Sequence, residues 1–156
     1  MRQSLFLLML LLVSCATAQE KEQYCNTNYH FCLDYPASAL QLSETSADKA
    51  FANFMSEDQS VRLEVTSKEN PEDWSLEDIY YMTFEDKLRR NPDLEIVNEI
   101  FNKSDFELLY HENDQLHYHH VYKHGKQYVQ LSMYLPKAQK QRFEQLKSQL
   151  TLTFNE

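Results

Sequence analysis

The chain has 156 residues, 42% of them apolar, and a formal charge of −9. That length suits one domain with a short targeting segment, and the apolar share can fill a core, which argues against disorder. The negative charge disfavours nucleic acid and anionic lipid heads as partners, and a single glycine, Gly125, leaves no way to write a P-loop or a GxGxxG motif.

At the N-terminus Arg2 precedes an apolar run from Leu5 to Val13. A run this short cannot span a bilayer, which takes roughly 20 residues, and it reads as a secretory signal peptide. Two cleavage readings follow. Leu12-Val13-Ser14-Cys15 resembles a bacterial lipobox, in which Cys15 is lipidated and becomes the first residue. Ala16-Thr17-Ala18 resembles an ordinary A-x-A site with cleavage before Gln19, and the product is then secreted free. The lipobox is preferred because several of its positions match together. Residues 1–14 are then the signal peptide, 15–27 a lipid-anchored tether and 28–156 one domain. The expected location is the cell envelope, periplasmic or on the outer membrane, with the membrane reached through the lipid. Of three cysteines, Cys25 and Cys32 remain after Cys15, and an even pair in an exported domain reads as a disulfide. Their six intervening residues do not match zinc-knuckle spacing.

Next, Tyr29, Phe31, Leu33 and Tyr35 alternate with polar neighbours, a half-buried strand ended by Pro36. Leu40–Leu42 extends it. Ala50–Met55 and Val61–Val65 pair across Glu57-Asp58-Gln59, with Val61, Leu63 and Val65 inward. Ser75 caps a helix, with Asp78 at the capping-box position and Leu76, Ile79, Tyr80, Phe84 and Leu88 on one face. Asn91-Pro92 stops it. Four strands follow: Leu94–Asn102, Asp105–Glu112, Gln115–Lys123 and Lys126–Leu135. Their gaps are Lys103-Ser104, Asn113-Asp114 and His124-Gly125, and two-residue polar gaps are a hairpin signal. A last helix covers about Lys137 to Gln149, and Thr151–Phe154 adds a strand. The expected class is α+β, an antiparallel β-sheet covered by two amphipathic helices.

The segment Tyr29–Pro36, the strand pair around Phe54-Met55-Ser56-Glu57-Asp58 and Val61–Val65, the helix opening at Ser75-Leu76 and the late hairpins ending Tyr134-Leu135-Pro136 resemble the PsbP-like family. The resemblance implies an α/β/α sandwich around an antiparallel sheet, and a secreted lipoprotein. It carries no functional residue across, because no diagnostic site motif matches.

The sharpest chemical candidate is a histidine cluster. His117 and His119 share one strand face and His120 the other, while His111 lies across the Asn113-Asp114 turn. His111, His117 and His119 together form a candidate zinc or copper site. The rival reading is a polar, half-exposed sheet face. In Lys126–Leu135, Val129, Leu131, Met133 and Leu135 face the core. Tyr128 and Tyr134, with Tyr118 on the neighbouring strand, are candidate partner contacts. Ser132 and His120 lie within reach of each other across a hairpin, but no G-x-S-x-G motif accompanies them. No catalytic group and no cofactor is expected. The reading is a non-enzymatic protein- or ligand-binding module of the envelope, with a histidine-dependent metal-binding lipoprotein as the alternative.

Overall fold

The computed structural model describes residues 20–155. The expected signal peptide at 1–14, Cys15 and both expected cleavage sites lie outside the described residues. Among the described residues ten strands build two antiparallel sheets. The small sheet holds β1 (Lys21–Asn26), β2 (Phe31–Pro36) and β10 (Thr151–Phe154), with β2 central. The large sheet has the order β3 (Gln41–Thr45), β4 (Phe51–Met55), β5 (Arg62–Glu69), β9 (Gln127–Pro136), β8 (Gln115–His124), β7 (Asp105–Glu112) and β6 (Leu94–Phe101). Among the described residues no helix is long and apolar enough to cross a membrane.

Because β1 pairs with β2 from Lys21 onward, the folded part begins inside the stretch expected as tether. Cys25 and Cys32 are register partners in that pair, and their disulfide is formed. The expected single sheet is also two, since β1, β2 and β10 form a sheet of their own.

The large sheet buries both faces of its later strands. On one face Leu116, Tyr118, Val129, Leu131, Met133 and Leu135 pack with Phe31, Leu33 and Tyr35 of the small sheet and with Phe143 and Leu146. Those last two lie on α3 (Lys140–Lys147), which follows a 3₁₀ turn at Lys137–Gln139. On the other face Phe106, Leu108, Tyr110, Val121 and Tyr128 pack under Leu76, Ile79 and Phe84. These come from α1 (Leu76–Tyr80), a π-helical turn (Tyr81–Glu85) and α2 (Asp86–Arg90). The capping box forms as expected: Asp78 N–H donates to Ser75 Oγ at 3.1 Å, and Ser75 N–H donates to Asp78 Oδ2 at 3.0 Å. The wider π turn leaves Phe84 facing the sheet, its ring 4.7 Å from that of His119, while Tyr81 and Met82 stay exposed.

Asn113-Asp114 turns β7 into β8 as expected, with Asn113 at φ 55°. The β8–β9 loop falls one residue late, at Gly125-Lys126, because His124 pairs with Gln127. With so little glycine, His30, Lys49 and Gln59 also take left-handed backbone, at φ 49°, 57° and 56°. Side chains with a Cβ hold that conformation at a penalty of about 1–2 kcal/mol each, which the surrounding pairing must offset.

Candidate functional site

The register of β7, β8 and β9 decides where every candidate side chain goes. His117 is opposite Tyr110 and His119 opposite Leu108, so both histidines point toward the helix-covered face. His111 is opposite Leu116 and points the other way, where its Nδ1 meets Glu95 Oε2 at 3.3 Å. The expected trio of His111, His117 and His119 is therefore divided between the two faces of the sheet. Among the described residues no group of three His, Cys, Asp or Glu is placed to hold a metal ion.

The histidines are also deeper than a polar outer face predicts. His117 is 9% and His119 4% exposed, because the α1–α2 stretch covers them. A continuous polar chain runs through this layer. Lys87 Nζ donates to the Tyr110 hydroxyl at 3.0 Å, which lies 3.3 Å from His119 Nε2. His119 Nδ1 lies 2.9 Å from Ser132 Oγ, which also accepts from Gln130 Nε2 at 2.8 Å. Tyr134 donates to Glu64 Oε2 at 3.2 Å. An ammonium only donates, so Tyr110 accepts from Lys87. Gln130 Nε2 also lies 3.3 Å from His119 Nδ1, and Ser132 bonds the Tyr134 hydroxyl. Burial holds the His119 pKa down at about 3, and His117 and Lys87 beside it act in the same direction. Ser132, at 3% exposure, is as buried as His119, and the contact ties β8 to β9. The sequence-level pairing of Ser132 with His120 is corrected at the same time: Ser132 is opposite His119, and His120 points to the other face.

His117 completes the layer. Its ring stacks on Tyr110 at 4.8 Å, its Nε2 is 3.6 Å from Glu112 Oε2, and its Nδ1 is buried without a hydrogen-bond partner. Burial lowers its pKa as well, aided by the charge of Lys87.

Of the three tyrosines expected to meet a partner, Tyr118 and Tyr128 are buried and Tyr134 half-buried. Tyr128 lies in the cluster beneath α1, and Tyr118 packs edge-on to Phe143 of α3. Each fills core because both faces of the later strands are covered.

Three features escaped the sequence reading. The first is a small pocket of about 200 Å³ between β7, β8 and α3. In it His120 Nε2 meets Asp105 Oδ2 at 2.8 Å, and His120 Nδ1 meets the hydroxyls of Tyr122 at 2.7 Å and Tyr118 at 3.1 Å. Glu107 pairs with Lys147 beside them. Burial lowers the His120 pKa against the pull of Asp105, and raises both tyrosines, so the hydroxyls stay protonated and the network is closed. The second is an open cleft of about 730 Å³ at one end of the molecule, where the β1–β2, β3–β4 and β8–β9 turns, the end of β5 and the C-terminus meet. His30, Asp48, Glu69, His124, Lys126 and Asn155 line it. The third is the edge strand β6. Ile96, Val97, Ile100 and Phe101 are 47%, 41%, 41% and 39% exposed, while most other large apolar side chains are buried. The strand at β6 was readable; that no described strand lies beyond it is set by strand order, which no local signal reports.

No family model and no curated protein matches the sequence. Solved structures do match the fold. The solution structure of cyanobacterial PsbP (CyanoP) from Synechocystis sp. PCC 6803 superposes with a TM-score of 0.60 at 15% identity, covering 91% of this chain and 99% of that one. A crystal structure from Bacteroides thetaiotaomicron VPI-5482 matches with a TM-score of 0.48 at 12% identity, over 88% of this chain and 49% of that one. The chain thus has mixed α and β structure with antiparallel sheets, and its fold resembles that of PsbP.

Proposed function

We propose that this chain is an exported, lipid-anchored binding module of the cell envelope that catalyses no reaction and holds a partner protein along β6. The observation that carries this reading is the uncovered apolar edge. Four large apolar side chains on one outer strand are an unusual surface for a free domain, and such patches mark interaction sites. The buried ionisable groups support the non-catalytic part. His119 and His120 are each held in closed hydrogen-bond chains with no activated nucleophile beside them. An α/β/α arrangement would fit the role, since helices on both faces of the large sheet leave its ends and edges for contacts.

Anchoring rests on Leu12-Val13-Ser14-Cys15 behind the apolar run. Only residues 16–20 separate Cys15 from β1, a reach of at most about 18 Å, so the anchored domain would ride close to the membrane and meet partners there.

The test is a photo-crosslinking side chain placed at Phe101, with Glu144 on α3 as the exposed control, in cells making the full chain. A discrete adduct at Phe101, absent at Glu144 and diminished by Cys15→Ser, is expected. Absence of an adduct at Phe101, Ile100 and Ile96 alike would reject β6 as the partner surface.

A second reading is favoured by the end cleft, whose size falls in the range of small-ligand sites and whose lining comes from several turns. A ligand there would shift the ring resonances of His30 and His124 and leave those of His119 and His120 in place.

A further inference from the structure

We propose that β6 captures an extended segment of its partner by strand addition, and that this segment carries lysine or arginine between apolar residues. The inference rests on reading β6 as the partner surface and adds the chemistry of what binds there.

The large sheet has two outer strands, and they differ. β3 reads Gln41-Leu42-Ser43-Glu44-Thr45, with a single large apolar side chain, and each outer strand has one register shift, between Leu42 and Glu44 in β3 and between Ile96 and Asn98 in β6. The difference is polarity, and a polar edge discourages pairing. β6 spans Leu94–Phe101 and offers Leu94, Ile96, Val97, Ile100 and Phe101. It has no lysine and no proline, the residues that commonly blunt an edge. One side of its backbone is paired with β7, and among the described residues no strand pairs with the other. The Leu94 amide donates to the Asn91 carbonyl, and on either side of the shift at Ile96–Asn98 the remaining N–H and C=O groups along that side are open to a further strand.

Side chains set what such a strand must carry. The register shift between Ile96 and Asn98 turns Glu95 and Glu99 to opposite faces. Glu95 lies beside His111 and Lys137, and Glu99 bonds the Tyr80 hydroxyl. Phe101 and Ile96 add apolar surface on the helix side, where Phe101 is 5.3 Å from the ring of Tyr80. An incoming strand therefore meets a carboxylate and apolar neighbours on each face. A second copy is a poor occupant. Pairing β6 with β6 would gather two copies each of Glu95 and Glu99 between two acidic bodies. A strand with cationic side chains meets the same carboxylates with the sign reversed.

The probe is a blocked octapeptide alternating valine with lysine, compared with one in which glutamate replaces each lysine. Amide hydrogen exchange of the exported protein is read over residues 94–101. The lysine peptide should slow exchange there at least tenfold and leave β3 unchanged, and the glutamate peptide should not. The Glu95→Lys, Glu99→Lys double variant changes two exposed side chains and should reverse the preference between the two peptides. Equal protection by both peptides, protection outside β6, or no protection overturns the proposal. So does peptide-independent protection that grows with protein concentration, the mark of a second copy. Crosslinking at Phe101 without protection by the lysine peptide would keep β6 as the partner surface and reject the cationic strand. No crosslinking would reject both.

Discussion

Replacing His119 by glutamine should flatten the dependence of stability on pH. His119 is 4% exposed, wedged between Phe84, Tyr110 and Ser132, and burial holds its pKa at about 3 against an ordinary 6.5. Between those values the unfolded chain binds a proton at this ring and the folded chain does not. The contribution to stability is therefore complete above 6.5, declines as pH falls below 6.5, and is exhausted near 3. At pH 5 the unfolded ring has gained about 1.5 pH units of protonation free energy, or about 2 kcal/mol, relative to neutral pH. That figure depends little on the folded value, provided it stays well below 5. His117 and His120 are lowered as well, so they steepen the wild-type profile in the same direction. The discriminating quantity is the difference between wild type and His119→Gln in urea unfolding. Whatever the variant loses at pH 7 through packing and hydrogen bonds, the gap should shrink by about 2 kcal/mol at pH 5. The His119 ring resonances of the wild type should stay fixed across that interval. Parallel stability profiles, or a His119 ring that titrates near 6, would refute the neutral buried assignment.

The disulfide should be worth about 2–3 kcal/mol from the small loop it closes, read as the loss in unfolding free energy when Cys25 and Cys32 are both replaced by serine. Thiol titration of the unfolded, unreduced protein should find neither cysteine free. Ser75→Ala removes the acceptor for the Asp78 amide and should cost about 1 kcal/mol, seen as a lowered Tm with an unchanged fold. Cys15→Ser should abolish incorporation of a fatty-acid label and release the protein from the membrane fraction; an unchanged label would move the cleavage to the Ala18/Gln19 bond.

Much of the strand layout was legible because alternation is a physical requirement of a sheet with one face buried. Val129, Leu131, Met133 and Leu135 point inward as their spacing demands, and the Ser75–Asp78 box forms as its residues indicate. β1 was missed for the opposite reason. Lys21-Glu22-Gln23-Tyr24-Cys25-Asn26 buries only Tyr24 and Asn26, so its pairing comes from β2 and the Cys25–Cys32 link rather than from its own pattern.

The fate of the histidines and tyrosines was hidden because a polar side chain can be buried wherever its neighbours complete its hydrogen bonds. His117, His119, Ser132 and Tyr128 look like an outer face when β8 and β9 are read alone. One clue was present: the stripe of Leu76, Ile79 and Phe84 had to cover some surface, and this face was the one left for it. β6 is the converse case. Helix and small sheet are both spent on the middle of the large sheet, so among the described residues no remaining element covers Ile96, Val97, Ile100 and Phe101. A sequence signals that a strand is apolar; only topology tells whether the chain itself or another molecule must cover it.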